Sequence, residues 1–294
     1  MKKRNVFLGD YFAKWISFSL ALFVMSCSRA PDTDEHVEPE PEDAVGVLDI
    51  QAKYSESGPQ AEDARFTVKS EAGDVIAERT RRTTYELPAG KYSVTATLRV
   101  VEREEVAHVR AGERTTKTII MDSGILNVEA VLAEGGDPVD SARFSIVSAE
   151  KDIRGRREEL IPSTRRSMFD LPSGTFLVRA HDDAVTVEKE VEIRAGERAD
   201  EVIVLNAGML VARALYENGD EVTDRVFWEV LSAEKDIRGN RSTVASSHRR
   251  GDVFRHLLPA GAHLLRAGFG EREIEKDIVV EAGSQLEVDV VFPE

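Results

Sequence analysis

Apolar and polar residues alternate along most of the chain. After Gly46 the apolar positions are Leu48, Ile50, Ala52 and Tyr54. After Gly124 they are Leu126, Val128, Ala130 and Leu132, and after Gly208 they are Leu210, Ala212, Ala214 and Tyr216. A period of two puts these side chains on one face of a strand. The alternation resumes after Leu87-Pro88-Ala89-Gly90 (Tyr92, Val94, Ala96, Leu98), after Leu171-Pro172-Ser173-Gly174 (Phe176, Val178, Ala180) and after Leu258-Pro259-Ala260-Gly261 (His263, Leu265, Ala267). Proline at the second position pre-sets φ for a type I turn, and glycine suits the fourth. A third marker stands at Arg110-Ala111-Gly112, Arg194-Ala195-Gly196 and Glu281-Ala282-Gly283, each time followed by a strand. Its glycines recur after 84 and 87 residues, as do those of the Leu-Pro-small-Gly stretch. Two markers in step define a repeat. Each unit carries about seven short strands, turn signals every ~8–12 residues and no helical period, which predicts an all-β chain of three tandem seven-stranded antiparallel sandwiches. The units fall at 46–122, 123–206 and 207–294.

The opening Gly-hydrophobic-Leu, the central Leu-Pro-Ala-Gly and the closing Ala-Gly strand resemble bacterial carboxypeptidase-regulatory-like or PEGA-type modules over nearly all of residues 46–294. The resemblance implies small prealbumin-like or immunoglobulin-like sandwiches on an extracytoplasmic, non-catalytic protein. Its motifs are fold-making turns, so it speaks to architecture more than to activity. The links Met121-Asp122-Ser123 and Leu205-Asn206-Ala207 are short, which favours a semi-rigid rod over freely jointed beads.

The first residues break the pattern. Lys2, Lys3 and Arg4 precede an apolar run from Trp15 to Ser26, too short to span a bilayer comfortably and placed as the h-region of a signal peptide over residues 1–26. Val24-Met25-Ser26-Cys27 resembles a bacterial lipobox, although Met25 departs from the small or aliphatic residue usual there. The resemblance implies acylation of Cys27, the sole cysteine, and Ser28 in place of aspartate favours the outer membrane in a Gram-negative cell. With that thiol consumed, neither disulfides nor thiol chemistry is expected. Residues 27–45 follow as an acidic stretch with Pro31, Pro39 and Pro41. That composition predicts a disordered tether reaching up to ~50 Å from the lipid.

The formal net charge is −15, which argues against nucleic acid, and against an acidic membrane contacted by the surface as a whole. Two local features stand out against it. Ser148 to Gly155 (Ser-Ala-Glu-Lys-Asp-Ile-Arg-Gly) returns letter for letter at Ser232 to Gly239, bringing Lys151, Asp152 and Arg154 back as Lys235, Asp236 and Arg238. The segment reads as a charged hairpin tip, with a binding loop presented twice as the functional alternative. Arginine pairs recur as Arg81-Arg82, Arg165-Arg166 and Arg249-Arg250, at steps of 84 residues. They could grip phosphate or carboxylate on a repetitive anionic envelope polymer, or simply neutralise nearby acids at an edge strand. Arg250-Gly251-Asp252 is a three-letter match to an integrin-read tripeptide and little more.

Signatures of catalysis are missing from the sequence. The histidines His36, His108, His181, His248, His256 and His263 keep no repeated ligand spacing, and His263 occupies the slot of Tyr92 and Phe176. The acidic loops at Gly135-Gly136-Asp137 and Asn218-Gly219-Asp220 lack EF-hand spacing, and no nucleophile elbow, Walker loop or zinc helix is present. No enzyme activity and no cofactor is expected. The expected partners are a membrane, through Cys27, and an envelope protein or anionic polymer.

Overall fold

The computed structural model describes residues 45–222, 225–247 and 253–293, and these contain twenty-one strands and no helix. The first repeat holds β1 (Val45–Lys53), β2 (Arg65–Ser70), β3 (Val75–Thr80), β4 (Thr84–Pro88), β5 (Gly90–Leu98), β6 (Val101–Val109) and β7 (Arg114–Ile120). The second holds β8 (Ser123–Val131), β9 (Arg143–Lys151), β10 (Arg157–Thr164), β11 (Met168–Pro172), β12 (Gly174–Asp182), β13 (Val185–Ile193) and β14 (Arg198–Val204). The third holds β15 (Ala207–Tyr216), β16 (Phe227–Lys235), β17 (Arg241–Ser247), β18 (Val253–Pro259), β19 (Gly261–Phe269), β20 (Arg272–Val280) and β21 (Gln285–Phe292). Each repeat is a sandwich of a three-stranded and a four-stranded sheet, ordered β4-β1-β7 and β3-β2-β5-β6 in the first and equivalently in the others.

The seven-stranded sandwiches expected from the alternation are therefore present. Their pairing departs from a purely antiparallel one at a single ladder per repeat. β1 pairs with β7, β8 with β14 and β15 with β21, all in parallel. Strand count explains it: direction reverses at every connection, so the first and seventh strands run the same way and meet side by side.

What closes this parallel ladder is contact between two of the repeated markers. The Val47 amide donates to the Glu113 carbonyl and the Gly112 amide to Val45, at 2.8 and 2.9 Å. Ile125 and Gly196 bond to Glu197 and Ser123 in the same way, and Met209 and Gly283 to Ser284 and Ala207. The opening glycine is the price of that approach. A Cβ on Gly46, Gly124 or Gly208 would fall well inside contact distance of the carbonyl oxygen of Arg110, Arg194 or Glu281.

Leu-Pro-small-Gly was expected to form a type I turn. It instead carries the chain from one sheet to the other: Pro88 ends β4, Gly90 begins β5, and one residue lies between. β4 is an edge strand, so a residue without an N–H can finish it with no ladder bond lost. Leu87, Leu171 and Leu258 plug the core beside each crossing.

Every repeat has its own apolar core, filled by inward residues of both sheets. The links belong to these cores. Met121, Ser123, Leu205 and Ala207 are at most 2% exposed, while Asp122 and Asn206 turn the chain at φ of 49° and 50°. Aspartate and asparagine tolerate that left-handed region better than most residues. All described residues lie within one compact unit.

Candidate functional site

Consecutive repeats are joined by the same set of positions, filled with different chemistry. At the first seam the Tyr54 hydroxyl, at the end of β1, donates to Asp170 Oδ1 of β11 at 2.5 Å. Arg99, at the tip of the β5–β6 hairpin, lies 3.6 Å from the other oxygen of that carboxylate. Burial, and then the bond to Asp170, push the Tyr54 phenol above its ordinary range. At the second seam Leu132 and Leu257 take the places of Tyr54 and Asp170, and both pack into the core of the second repeat. The hairpin tip there is Asp183, which accepts the Leu257 amide at 3.0 Å and stands 3.5 Å from His256 Nδ1. One further bond is made at both seams, as Ser173 N to Asp122 O at the first and Ala260 N to Asn206 O at the second.

A groove of about 420 Å³ opens at the first seam, between edge strands β10 and β11 and the β5–β6 tip. Val100, Leu160, Pro162 and Met168 give it apolar walls, and Arg99 and Arg166 stand at its margin. Met168 and Val100 are about half exposed there. Here a member of the arginine pairs, Arg166, meets a concave apolar surface.

The pairs do not form a uniform array. Arg81 is bonded to Asp63 at 2.8 Å, and Arg82 donates from Nε to the Thr84 carbonyl while its guanidinium lies 5.0 Å from the Tyr85 ring centre. In the second repeat Ser141 stands where Asp63 stands in the first, so Arg165 has no counterpart acid at that position, and Arg165 and Arg166 are both exposed. Arg249 and Arg250, the Arg250-Gly251-Asp252 triplet, Cys27 and the tether as far as Ala44 lie outside the described residues, while Val45, expected to end the tether, opens β1.

The eight-residue repeat is half strand and half tip. Ser148 to Lys151 complete β9, and the chain turns only over Asp152–Arg156. Asp152 Oδ1 accepts the amides of Arg154 and Arg156, both at 2.8 Å, and Gly155 closes the turn at φ 76°. Asp236 holds the amides of Arg238 and Asn240 identically, with Gly239 at φ 85°. Backbone hydrogen bonds from Arg156 lead the causes that hold the Asp152 carboxyl below its usual range. Arg157 and Arg241 reach back to the carbonyls of Ser148 and Ala149, and of Ser232 and Ala233. Both aspartates are thus engaged in shaping the tip, whereas Lys151, Arg154, Lys235 and Arg238 are exposed. Sequence reading passed over the residue between them: Ile153 and Ile237 are fully exposed at the two tips.

His263 does more than pack. It is buried, and its Nε2 lies 2.8 Å from the Pro259 carbonyl, matching the 2.9 Å bond from the Tyr92 hydroxyl to Pro88. A carbonyl only accepts, so Nε2 carries the proton. Among the described residues no three His, Cys, Asp or Glu are placed to hold a metal ion.

These features define a tandem β-sandwich protein with seams at equivalent positions and projecting hairpin tips. No family model matches the chain, and no curated protein matches it. Among solved structures it is similar to the TIE protein of Bacillus anthracis (16% identity, TM-score 0.25), over 85% of this chain and 51% of that one. The chain thus spans about half the length of that protein. It is also similar to a streptococcal ancillary pilin (12%, TM-score 0.31, 85% and 99% covered) and to BcpA, the major pilin subunit of Bacillus cereus (12%, TM-score 0.24, 84% and 99% covered). Likenesses this distant carry no functional argument.

Proposed function

We propose that the chain is a non-catalytic cell-envelope protein, anchored by an acyl group on Cys27, whose three repeats act as a spacer or scaffold for a protein partner. The buried links are the observation behind this reading. A residue such as Met121 or Leu205, fully enclosed at the boundary between repeats, leaves little freedom for one sandwich to swing against the next. Holding units at a set separation is what a spacer must do. An anchor in the outer membrane, on either face, agrees with Ser28 following the lipobox-like stretch. Cys27→Ala is expected to release the chain from the membrane fraction and to abolish acyl labelling. A variant still fully sedimenting with membranes would reject the anchor.

A second reading is a binding module for an anionic envelope ligand, and the seam groove is what favours it. Arg166 stands beside apolar walls there and forms no ion pair among the described residues, so it is available to a carboxylate or phosphate. Binding of an acidic envelope polysaccharide should then be salt-sensitive and fall about tenfold in Arg166→Ala, measured by calorimetry. Equal affinity of wild type and variant would rule the groove out.

A further inference from the structure

We propose that the tips at Asp152–Arg156 and Asp236–Asn240 are two prongs that dock on an anionic lipid surface, Ile153 and Ile237 entering the interface and the flanking cations meeting the headgroups. This goes beyond the anchor at Cys27 and does not depend on it.

Exposure is the first ground. Ile153 and Ile237 are 104% and 103% exposed, so the chain covers no part of either side chain. The conformation is also held, because Asp152 and Asp236 each fix two amides, and Arg157 and Arg241 tie the strands beneath. A braced loop loses little freedom when it docks.

Charge supplies the second. Each isoleucine is flanked by two exposed cations, Lys151 with Arg154 and Lys235 with Arg238, that form no salt bridge among the described residues. The chain as a whole carries −15. From Glu150 to Arg156 three cations face two carboxylates, and from Glu234 to Asn240 two face two, so the tips are far less acidic than the chain as a whole and are where an anionic surface repels it least. Basic residues beside a projecting apolar side chain are the composition that binds at a lipid interface.

Size decides between a lipid surface and a protein socket. A five-residue tip offers far less than the ~1,000 Å² that a specific protein interface buries. A bilayer asks for no shape complementarity, so each prong can dock on its own. The first repeat has only Ser70-Glu71-Ala72-Gly73 at this position, without isoleucine or cation, so it contributes no prong.

The test is hydrogen–deuterium exchange on the complete chain purified from solubilised envelopes. It is mixed with vesicles of phosphatidylcholine containing phosphatidylglycerol, or of phosphatidylcholine alone. Amides of both tips should slow about fivefold or more on the anionic vesicles and stay unchanged on the neutral ones. The double variant Ile153→Ser/Ile237→Ser should lose that protection while the amides of β9 and β16 exchange as in wild type. Lys151→Ala should weaken it about fivefold. Identical rates on both vesicles, or protection that survives the double variant, would overturn the proposal. Protection by an envelope protein fraction but not by vesicles would overturn it in favour of a protein socket. Because the readout is local to the tips, a failure here is distinct from loss of the anchor, which acyl labelling reports.

Discussion

Gly124→Ala is expected to remove about 3–5 kcal/mol from the stability of the second repeat, combining overpacking with loss of two clasp hydrogen bonds at about 1 kcal/mol each. Its Cβ would meet the Arg194 carbonyl oxygen, with Ile193 Cγ2 at 2.9 Å and Glu197 O at 3.0 Å. Two of the three obstacles are backbone in the facing turn, so no rotamer change relieves them. The parallel ladder between β8 and β14 must open, and with it the bonds from Ile125 to Glu197 and from Gly196 to Ser123. Gly135→Ala is the control. That glycine has φ 72° but open space around it, so the change should cost only about 1 kcal/mol. Denaturant titration followed by segment-resolved hydrogen exchange separates the two. Equal, small effects would mean that the clasp is not what closes the sandwich.

Trp228→Ala should cost the third repeat about 3–5 kcal/mol. Trp228 is 2% exposed and lies stacked on Phe254, ring centres 5.9 Å apart, among the apolar residues of that core. A repeat of this length holds about 4–13 kcal/mol, at about 0.05–0.15 per residue, so the loss is a large share of the total. The damage should also reach back one repeat. Leu257 belongs to the third repeat in sequence but is buried in the core of the second, so exchange should quicken in β11 and β8 as well as in β16. The first repeat, which does not share that seam, should exchange at its normal rate. Quickening confined to β16–β19 would show that the seam does not couple the repeats.

Much of this architecture could be read from the chain because side-chain alternation, the Leu-Pro crossing and the closing glycine all leave marks on residue identity. The clasp left marks too, yet both of its parts looked like separate punctuation. Gly124 meets the Arg194 carbonyl through backbone, and backbone contact does not change with the letters around it. The parallel ladder was hidden for the same reason. Candidate sites were less legible still. The arginine pairs keep one spacing, but whether each is engaged depends on a distant position, Asp63 in one repeat and Ser141 in the next. An isoleucine inside a charged octapeptide reads as an ordinary apolar letter until its exposure is known. The seam partners Tyr54 and Asp170, replaced together by Leu132 and Leu257, could have been matched as a pair only once the register of β1 and β11 was in hand.

The unlike chemistry of the two seams bears on how such a gene can change. Excising the middle copy would bring Tyr54 and Arg99 against Leu257 and His256. The phenol would then lose its carboxylate, and a guanidinium would face an imidazole with no acid between them. The three copies are therefore not interchangeable, and an array shortened in this way would inherit a mismatched junction.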